Sequence, residues 1–318
     1  MNGASRIVLV TGAGGFAGSH LVERLTGRVE LVAWARGTPP ANLAHLATWQ
    51  RVDLLDREQV RRAASALKPS AVYHCAGAPH VAHSWQNTTE ALAGNVLTTH
   101  YLLDALRRAG AHCRVLIPGS AMVYAPSATP IRETHTTAAT SPYAVSKIAQ
   151  EQLGLRATRE DGIDVIVTRS FNHTGPRQSP DFAAPAIARQ VALIEKALQE
   201  TLITVGNLDA QRDLTDVRDI VRAYTELMEK GATATVYNVA SGVARSIRSV
   251  LDHLIERAGV HVRIQTDESL LRPRDQAVVV GDATKLREAT GWAPGISFEQ
   301  MLDDLLDYWR GAAALDSR

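Results

Sequence analysis

Hydrophobic positions along the first half of the chain follow two alternating rhythms. Short apolar runs at Arg6–Val10, Glu30–Ala35, Gln50–Asp53, Ala71–His74, Arg114–Pro118 and Asp164–Arg169 have the length and β-branched content of buried strands. Between them the pattern predicts helices: one through Leu21, Leu25 and Thr26, then Glu58–Leu67, Ala91–Ala109 and Tyr143–Glu160. Strands that alternate with helices imply an α/β fold built on a parallel, doubly wound sheet. From about Phe171 the rhythm turns irregular. Helices are expected at Ala184–Leu198, Asp216–Glu229, Ile247–Ala258, Ala283–Thr290 and Phe298–Arg310, with short strands at Ile203–Val205, Val236–Val239 and Val262–Thr266. No repeat or Pro/Ser-rich linker divides the two parts. The expected organisation is a sheet domain over residues 1–170 and a smaller mixed α/β lobe over 171–318, folded over the carboxyl edge of the sheet, with some chain crossing back.

Composition narrows the class. The chain has 318 residues, 45% hydrophobic and 21% charged, with a formal net charge of +1. Near-neutral charge argues against nucleic acid or an anionic membrane as the main partner. No apolar run reaches the ~18–20 residues of a membrane span, and the N-terminus lacks a secretory pattern. Two cysteines, Cys75 and Cys113, suggest no disulfide framework and suit a reducing cytoplasm. Among the eleven histidines, His74, His80 and His83 show no recognised ligand spacing, so no metal is expected.

The first strand runs directly into Thr11-Gly-Ala-Gly-Gly-Phe-Ala-Gly18, and a helix follows. Strand, glycine loop, helix is the context that makes a glycine pattern a dinucleotide-binding fingerprint, where a plain turn would need no such arrangement. Gly12 allows the tight turn, Gly15 the approach of a diphosphate, and Gly18 the packing of helix on strand. The helix N-terminus offers free amides and a positive dipole end to that anion. The next strand ends in Ala35-Arg36-Gly37, without the acidic residue that binds adenosine ribose hydroxyls in an NAD site. Arg36 is placed to pair with a 2′-phosphate, so NADP(H) is favoured and NAD(H) stays possible. Asp53 and Leu54 end one strand where adenine would lie, and Ala76-Gly77 end another where backbone can follow the cofactor.

Tyr143 and Lys147 stand at i and i+4 and share one helical face. Ser141 suits the N-cap and Pro142 the first turn. A phenol beside an ammonium is a proton donor with a stabilised conjugate base, and the charge is expected to pull the tyrosine pKa down from about 10. Ser120 follows the strand at Arg114–Pro118 and can hydrogen-bond a substrate oxygen. Alone, each feature also suits a turn or a solvated helix face; the three together form a constellation.

Thr11-Gly-x-x-Gly-x-x-Gly18, Ser120 and Tyr143-x-x-x-Lys147, in this order, resemble an extended short-chain dehydrogenase/reductase, the superfamily of nucleotide-sugar epimerases, dehydratases and reductases. The likeness covers nearly the whole chain and continues through Arg169–Pro176, Arg212–Asp219, Asn238–Gly242 and Arg272-Pro273. Ser170–Phe182, Val205–Asp219 and the stretch from Gly291-Trp292 to Tyr308-Trp309-Arg310 resemble GDP-4-keto-6-deoxymannose reductases. The resemblance implies that Tyr143 delivers a proton to a C4 keto oxygen, Lys147 supports it and holds the nicotinamide ribose, and Ser120 polarises the carbonyl. It further implies cofactor contacts at Phe16, Asn95 and Ser170. Substrate contacts are implied at Ser84, Asn172, Arg177, Arg212 and Arg272, the last two clamping the diphosphate. Two departures touch the sugar site: Arg177 stands where a glycine is expected, and Ala121-Met122 follow Ser120 where relatives carry Ser or an acid.

A 4,6-dehydratase needs an acid–base pair shortly after the catalytic serine, and Ala121 and Met122 cannot move protons. A 4-epimerase keeps its NAD bound and recycles hydride within one sugar. Arg36 suits an exchangeable NADPH, which places the 4-ketoreductase ahead of the epimerase. A non-catalytic dinucleotide-binding protein would have no need of both Tyr143 and Lys147. Relatives commonly dimerise through the helices corresponding to Ala91–Ala109 and Tyr143–Glu160, so a homodimer is expected.

Overall fold

In the computed structural model, which describes residues 6–271 and 276–316, the chain begins with β1 (Ile7–Thr11), α1 (Phe16–Leu25), β2 (Glu30–Ala35), β3 (Thr48–Arg51) and α2 (Arg57–Leu67). It continues through β4 (Ala71–His74), α3 (Val81–Gln86), α4 (Thr88–Leu92), a π-helical turn at Ala93–Leu97 and α5 (Thr98–Arg108). Then come β5 (Arg114–Ser120), α6 (Pro142–Asp161), β6 (Asp164–Ser170), β7 (His173–Thr174), α7 (Ala183–Glu195), β8 (Leu202–Val205), β9 (Gln211–Asp213) and β10 (Thr215–Asp216). The last part holds α8 (Val217–Lys230), β11 (Thr235–Val239), β12 (Ala244–Ser246), α9 (Ile247–Ala258), β13 (Arg263–Thr266), β14 (Val278–Val279), α10 (Thr284–Thr290) and α11 (Phe298–Asp316).

Seven strands form one parallel sheet in the order β11-β6-β5-β4-β1-β2-β3, with apolar cores on both faces. This is the doubly wound α/β sheet expected from the alternation of elements. A third core, between α7, α9 and α11, belongs to the lobe beyond the sheet. The strand expected at Val236–Val239 is β11, the seventh strand of the main sheet, paired with β6. The edge strand lies at Thr48–Arg51 instead of Gln50–Asp53, because a strand paired on one side alone carries a weak apolar signal. The helix expected over Ala91–Ala109 is interrupted by the π-turn, in which Asn95 is fully buried. Strands β7, β9, β10, β12 and β14 have two or three residues each, too few to show a periodicity.

Helix α6 starts where Ser141 accepts a hydrogen bond from the amide of Ala144 and ends at Gly162, in the left-handed conformation. Its buried residues are Tyr143, Ala144, Ser146, Lys147, Gln150, Glu151, Gly154 and Ala157. The polar ones among them are held by named partners. Arg169 of β6 donates Nε and Nη2 to the two oxygens of Glu151 at 2.9 and 2.7 Å, both side chains 7% exposed. Removing one partner of a buried pair strands the other. Glu151→Gln is therefore expected to lower unfolding stability by about 3–5 kcal/mol, read from a urea transition.

Candidate active site

The carboxyl ends of β1, β2, β4 and β5 frame the site. Gly12 follows β1 with φ of 64°, and a Cβ there would lie 2.6 Å from the amide nitrogen of Ala76. A Cβ on Gly18 would strike the carbonyl oxygen of Gly12. Gly15 is the N-cap of α1 and supplies no side-chain cap, so first-turn amides stay available to an anion. A cradle that admits no Cβ, backed by an uncapped helix N-terminus, fits a dinucleotide diphosphate. Phe16, next in the loop, stacks on His173 with ring centroids 5.7 Å apart.

Arg36 is exposed past β2 and makes no hydrogen bond or ion pair among the described residues. Asp53 is exposed beyond β3 and accepts from the amide of Leu55, whereas Leu54 packs in the core. Ala76 and Gly77 follow β4. A Cβ on Gly77 would lie 2.5 Å from Asn95 Oδ1. Asn95 itself accepts from the amide of Ala78 at 2.9 Å and donates to the Ala78 carbonyl and to Ser146 Oγ. Its side chain thus ties the loop after β4 to α6.

Ser120 ends β5, Tyr143 and Lys147 lie in the first turns of α6, and Lys147 reaches the carbonyl of Pro118 in that same strand. Ser120 is in register with Ser170 of β6, whose hydroxyl bonds that of Tyr224. The amide of Met122 donates to Ser120 Oγ at 3.2 Å, and the Ser120 hydroxyl lies on the side of the Tyr143 phenol. The expected depression of the Tyr143 pKa is corrected here. Burial pushes it up, and the nearby Ser120 hydroxyl pulls it only partly back. The Lys147 ammonium is instead turned to the carbonyl of Pro118 at 2.9 Å and to Gln150 Oε1 at 2.7 Å. Burial lowers its own pKa to about 8.

Ser84 is buried, donates to the Val81 carbonyl and accepts from the amide of Tyr143 at 3.2 Å, so it helps seat the start of α6. Asn172 is exposed just before β7 and its carbonyl accepts from the amide of Thr215. Arg177 has φ of 75°, which accounts for the glycine expected there. Its guanidinium donates to both Glu23 oxygens at 2.6 Å and contacts His20 Nδ1, fastening the loop after β7 to α1. Arg212 donates to the carbonyls of Gln211 and Gln276 at 2.8 Å. Its neighbour Asp213 is fully buried and binds the amides of Ser241, Gly242 and Gly281. Arg272 lies outside the described residues. Sequence reasoning missed His74, Thr99, Gln150 and Asp213. Buried polar side chains on helices and strand ends carry no periodic signal, and the one available hint was Gln150 three residues after Lys147.

Comparison with known proteins places these features in context. The family model for GDP-mannose 4,6 dehydratase matches residues 9–305. A GDP-6-deoxy-D-mannose reductase from Pseudomonas aeruginosa is 36% identical over 95% of this chain and 96% of its own. The solved structure of RMD from Pseudomonas aeruginosa complexed with NADPH superposes with a TM-score of 0.86 at 33% identity, over 97% of this chain and 100% of that one. A UDP-glucose 4-epimerase from Thermotoga maritima, solved with UDP-glucose, reaches a TM-score of 0.87 at 27% identity, over 96% and 99%.

The cradle predicts its own test. In Gly12→Ala the added methyl meets Ala76 and the backbone is strained, so NADPH affinity should fall roughly tenfold or more in a fluorescence titration.

Proposed function

The chain belongs to the GDP-mannose 4,6-dehydratase family, within the extended short-chain dehydrogenases/reductases, and from this site we propose that it is an NADPH-dependent 4-ketoreductase. Its substrate in this reading is GDP-4-keto-6-deoxymannose, and its product a GDP-6-deoxyhexose such as GDP-rhamnose. The observation that carries the reading is the turn after Ser120. Ala121 is buried there and Met122 partly so, where elimination would need an acid–base pair. Glu151, the carboxylate on the buried face of α6, is spent on Arg169. Strong similarity to a GDP-6-deoxy-D-mannose reductase, and an exposed Arg36 at the end of β2, support the same choice.

The glycine cradle and Arg36 would hold the dinucleotide, with Asn95, Ser170, Ala76 and Gly77 along its path. Bound NADPH supplies the hydride. Tyr143 gives its phenolic proton to the C4 oxygen as charge develops there. Burial favours the neutral phenol in the resting site, so the proton is present to be given. Ser120, oriented by the Met122 amide, donates to the same oxygen. Lys147 as ammonium stabilises the phenolate that remains. Loss of that charge predicts kcat/KM falling above about pH 8. Asn172 and Arg212, with Arg272, are the proposed sugar and diphosphate contacts.

NADPH consumption on adding enzymatically generated GDP-4-keto-6-deoxymannose tests the reading. Stoichiometric oxidation is expected, reduced by ~10² or more in Tyr143→Phe. NADH should serve less well, and Arg36→Ala should erase that preference. A folded, NADPH-binding enzyme that oxidises none would point to internal hydride recycling, the epimerase alternative.

A homodimer in the cytoplasm completes the proposal. Exposed Leu92, Leu97 and Val145 on α4, the π-turn and α6 supply an apolar surface for pairing, and both thiols are free. Light scattering at micromolar concentration should give twice the 34.4 kDa chain mass; a monomeric value would remove the pairing.

A further inference from the structure

Behind Lys147 lies a chain of buried polar groups that the chemistry above leaves unused. Gln150 accepts from Lys147 Nζ at 2.7 Å through Oε1 and donates through Nε2 to Thr99 Oγ1 at 2.8 Å. Thr99 Oγ1 donates to the Asn95 carbonyl at 2.7 Å and lies 2.9 Å from His74 Nε2. His74 Nδ1 lies 2.8 Å from the hydroxyl of Thr11, the last residue of β1. Gln150, Thr99, His74 and Thr11 are each 1% exposed or less.

Counting donors assigns every proton in this chain. Thr99 has a single hydroxyl proton and a carbonyl can only accept, so that proton goes to Asn95. Thr99 Oγ1 must then accept from both Gln150 Nε2 and His74 Nε2. His74 is therefore protonated on Nε2, and its bare Nδ1 accepts from Thr11. Burial, which drops the His74 pKa to about 3, keeps the ring neutral. Gln150 has no freedom to flip. Turned over, it would set an NH2 group against the ammonium and an oxygen against a hydroxyl with no proton left. Lys147 has three N–H donors, and Pro118 and Gln150 take two.

We propose that Gln150 is the positioning residue of Lys147: locked by Thr99 and His74, it holds the ammonium so that one N–H is reserved for the reacting side of the cleft. An amide suits this task because it accepts a hydrogen bond without adding a counter-charge. The groups facing Lys147 are Tyr143 on its own helix, His74 at the end of β4 and Cys75 just after it, and Tyr224 of α8 beside Tyr143 and Cys75. Burial holds Cys75 up at about 12, pushes both tyrosines up and keeps His74 neutral. Titration near pH 8 in this cluster therefore belongs to Lys147.

The kinetic part of the test rests on the reductase reading; the spectroscopic part does not. The chain has five lysines, so the carbon-13 signal of Lys147 Cε can be assigned and titrated in the NADPH complex. Gln150→Met should lower its midpoint, since the charge loses an acceptor. Gln150→Glu, which keeps an acceptor and adds a charge, should raise it by about one unit. With the keto-sugar nucleotide, Gln150→Met should lose about 10- to 100-fold in kcat with little change in KM, and Gln150→Glu should recover most of that loss. Melting curves confirm folding. A Lys147 midpoint unmoved in both folded variants overturns the proposal. A wild type that turns over no keto sugar overturns the reductase reading alone, because the midpoints still decide the role of Gln150.

Discussion

Glu151 and Arg169 meet in a buried two-pronged contact, and the register of α6 on the sheet depends on it. Ile148, Leu153, Leu155 and Ala157 pack the helix on the sheet cores, and Gly154 lets it approach Ile117 and Val165 closely. Polar partners refine its register: Ser84 and Ser141 at its start, Pro118 and Asn95 at its middle, and Arg169 below. A pair with both members desolvated contributes little net stability but punishes any register in which it is broken. That asymmetry sets Tyr143 and Lys147 against the end of β5.

Burial acts in opposite directions on the two side chains so placed. It disfavours phenolate on Tyr143 and ammonium on Lys147, which draws two ordinarily similar pKa values apart. The phenol stays protonated and ready, while the ammonium, its pKa lowered to about 8 by burial, keeps its charge at neutral pH beside the oxygens of Pro118 and Gln150. Burial is the dominant influence on the phenol, and the Ser120 hydroxyl acts against it. Lysine assists from behind, through its charge and its spare donor.

Several contacts join the helix after the cradle to the segment that follows β6. His173 stacks on Phe16, His20 bonds the Pro176 carbonyl, and Arg177 grips Glu23. Arg177 holds a left-handed backbone that favours glycine, a strain of roughly 1–2 kcal/mol that its bidentate ion pair offsets. The loop that presents Asn172 is thereby fastened to the helix that begins at the phosphate cradle.

The alternation of apolar strands and helices, the glycine loop, and the order of Ser120, Tyr143 and Lys147 were all legible in the chain. Each is a local pattern in which spacing maps directly onto geometry: period two, period three to four, or a turn that excludes side chains. Tertiary structure decided what no local pattern encodes. It carried Thr235–Val239 back into the main sheet, opened a π-turn at Asn95, and turned Lys147 toward Gln150 instead of Tyr143. It also gathered Thr11, His74 and Thr99 behind that lysine, from strands and a helix far apart in sequence. Buried polar groups must find partners wherever the fold supplies them, and those partners are set by three-dimensional proximity, which hydrophobic periodicity does not record.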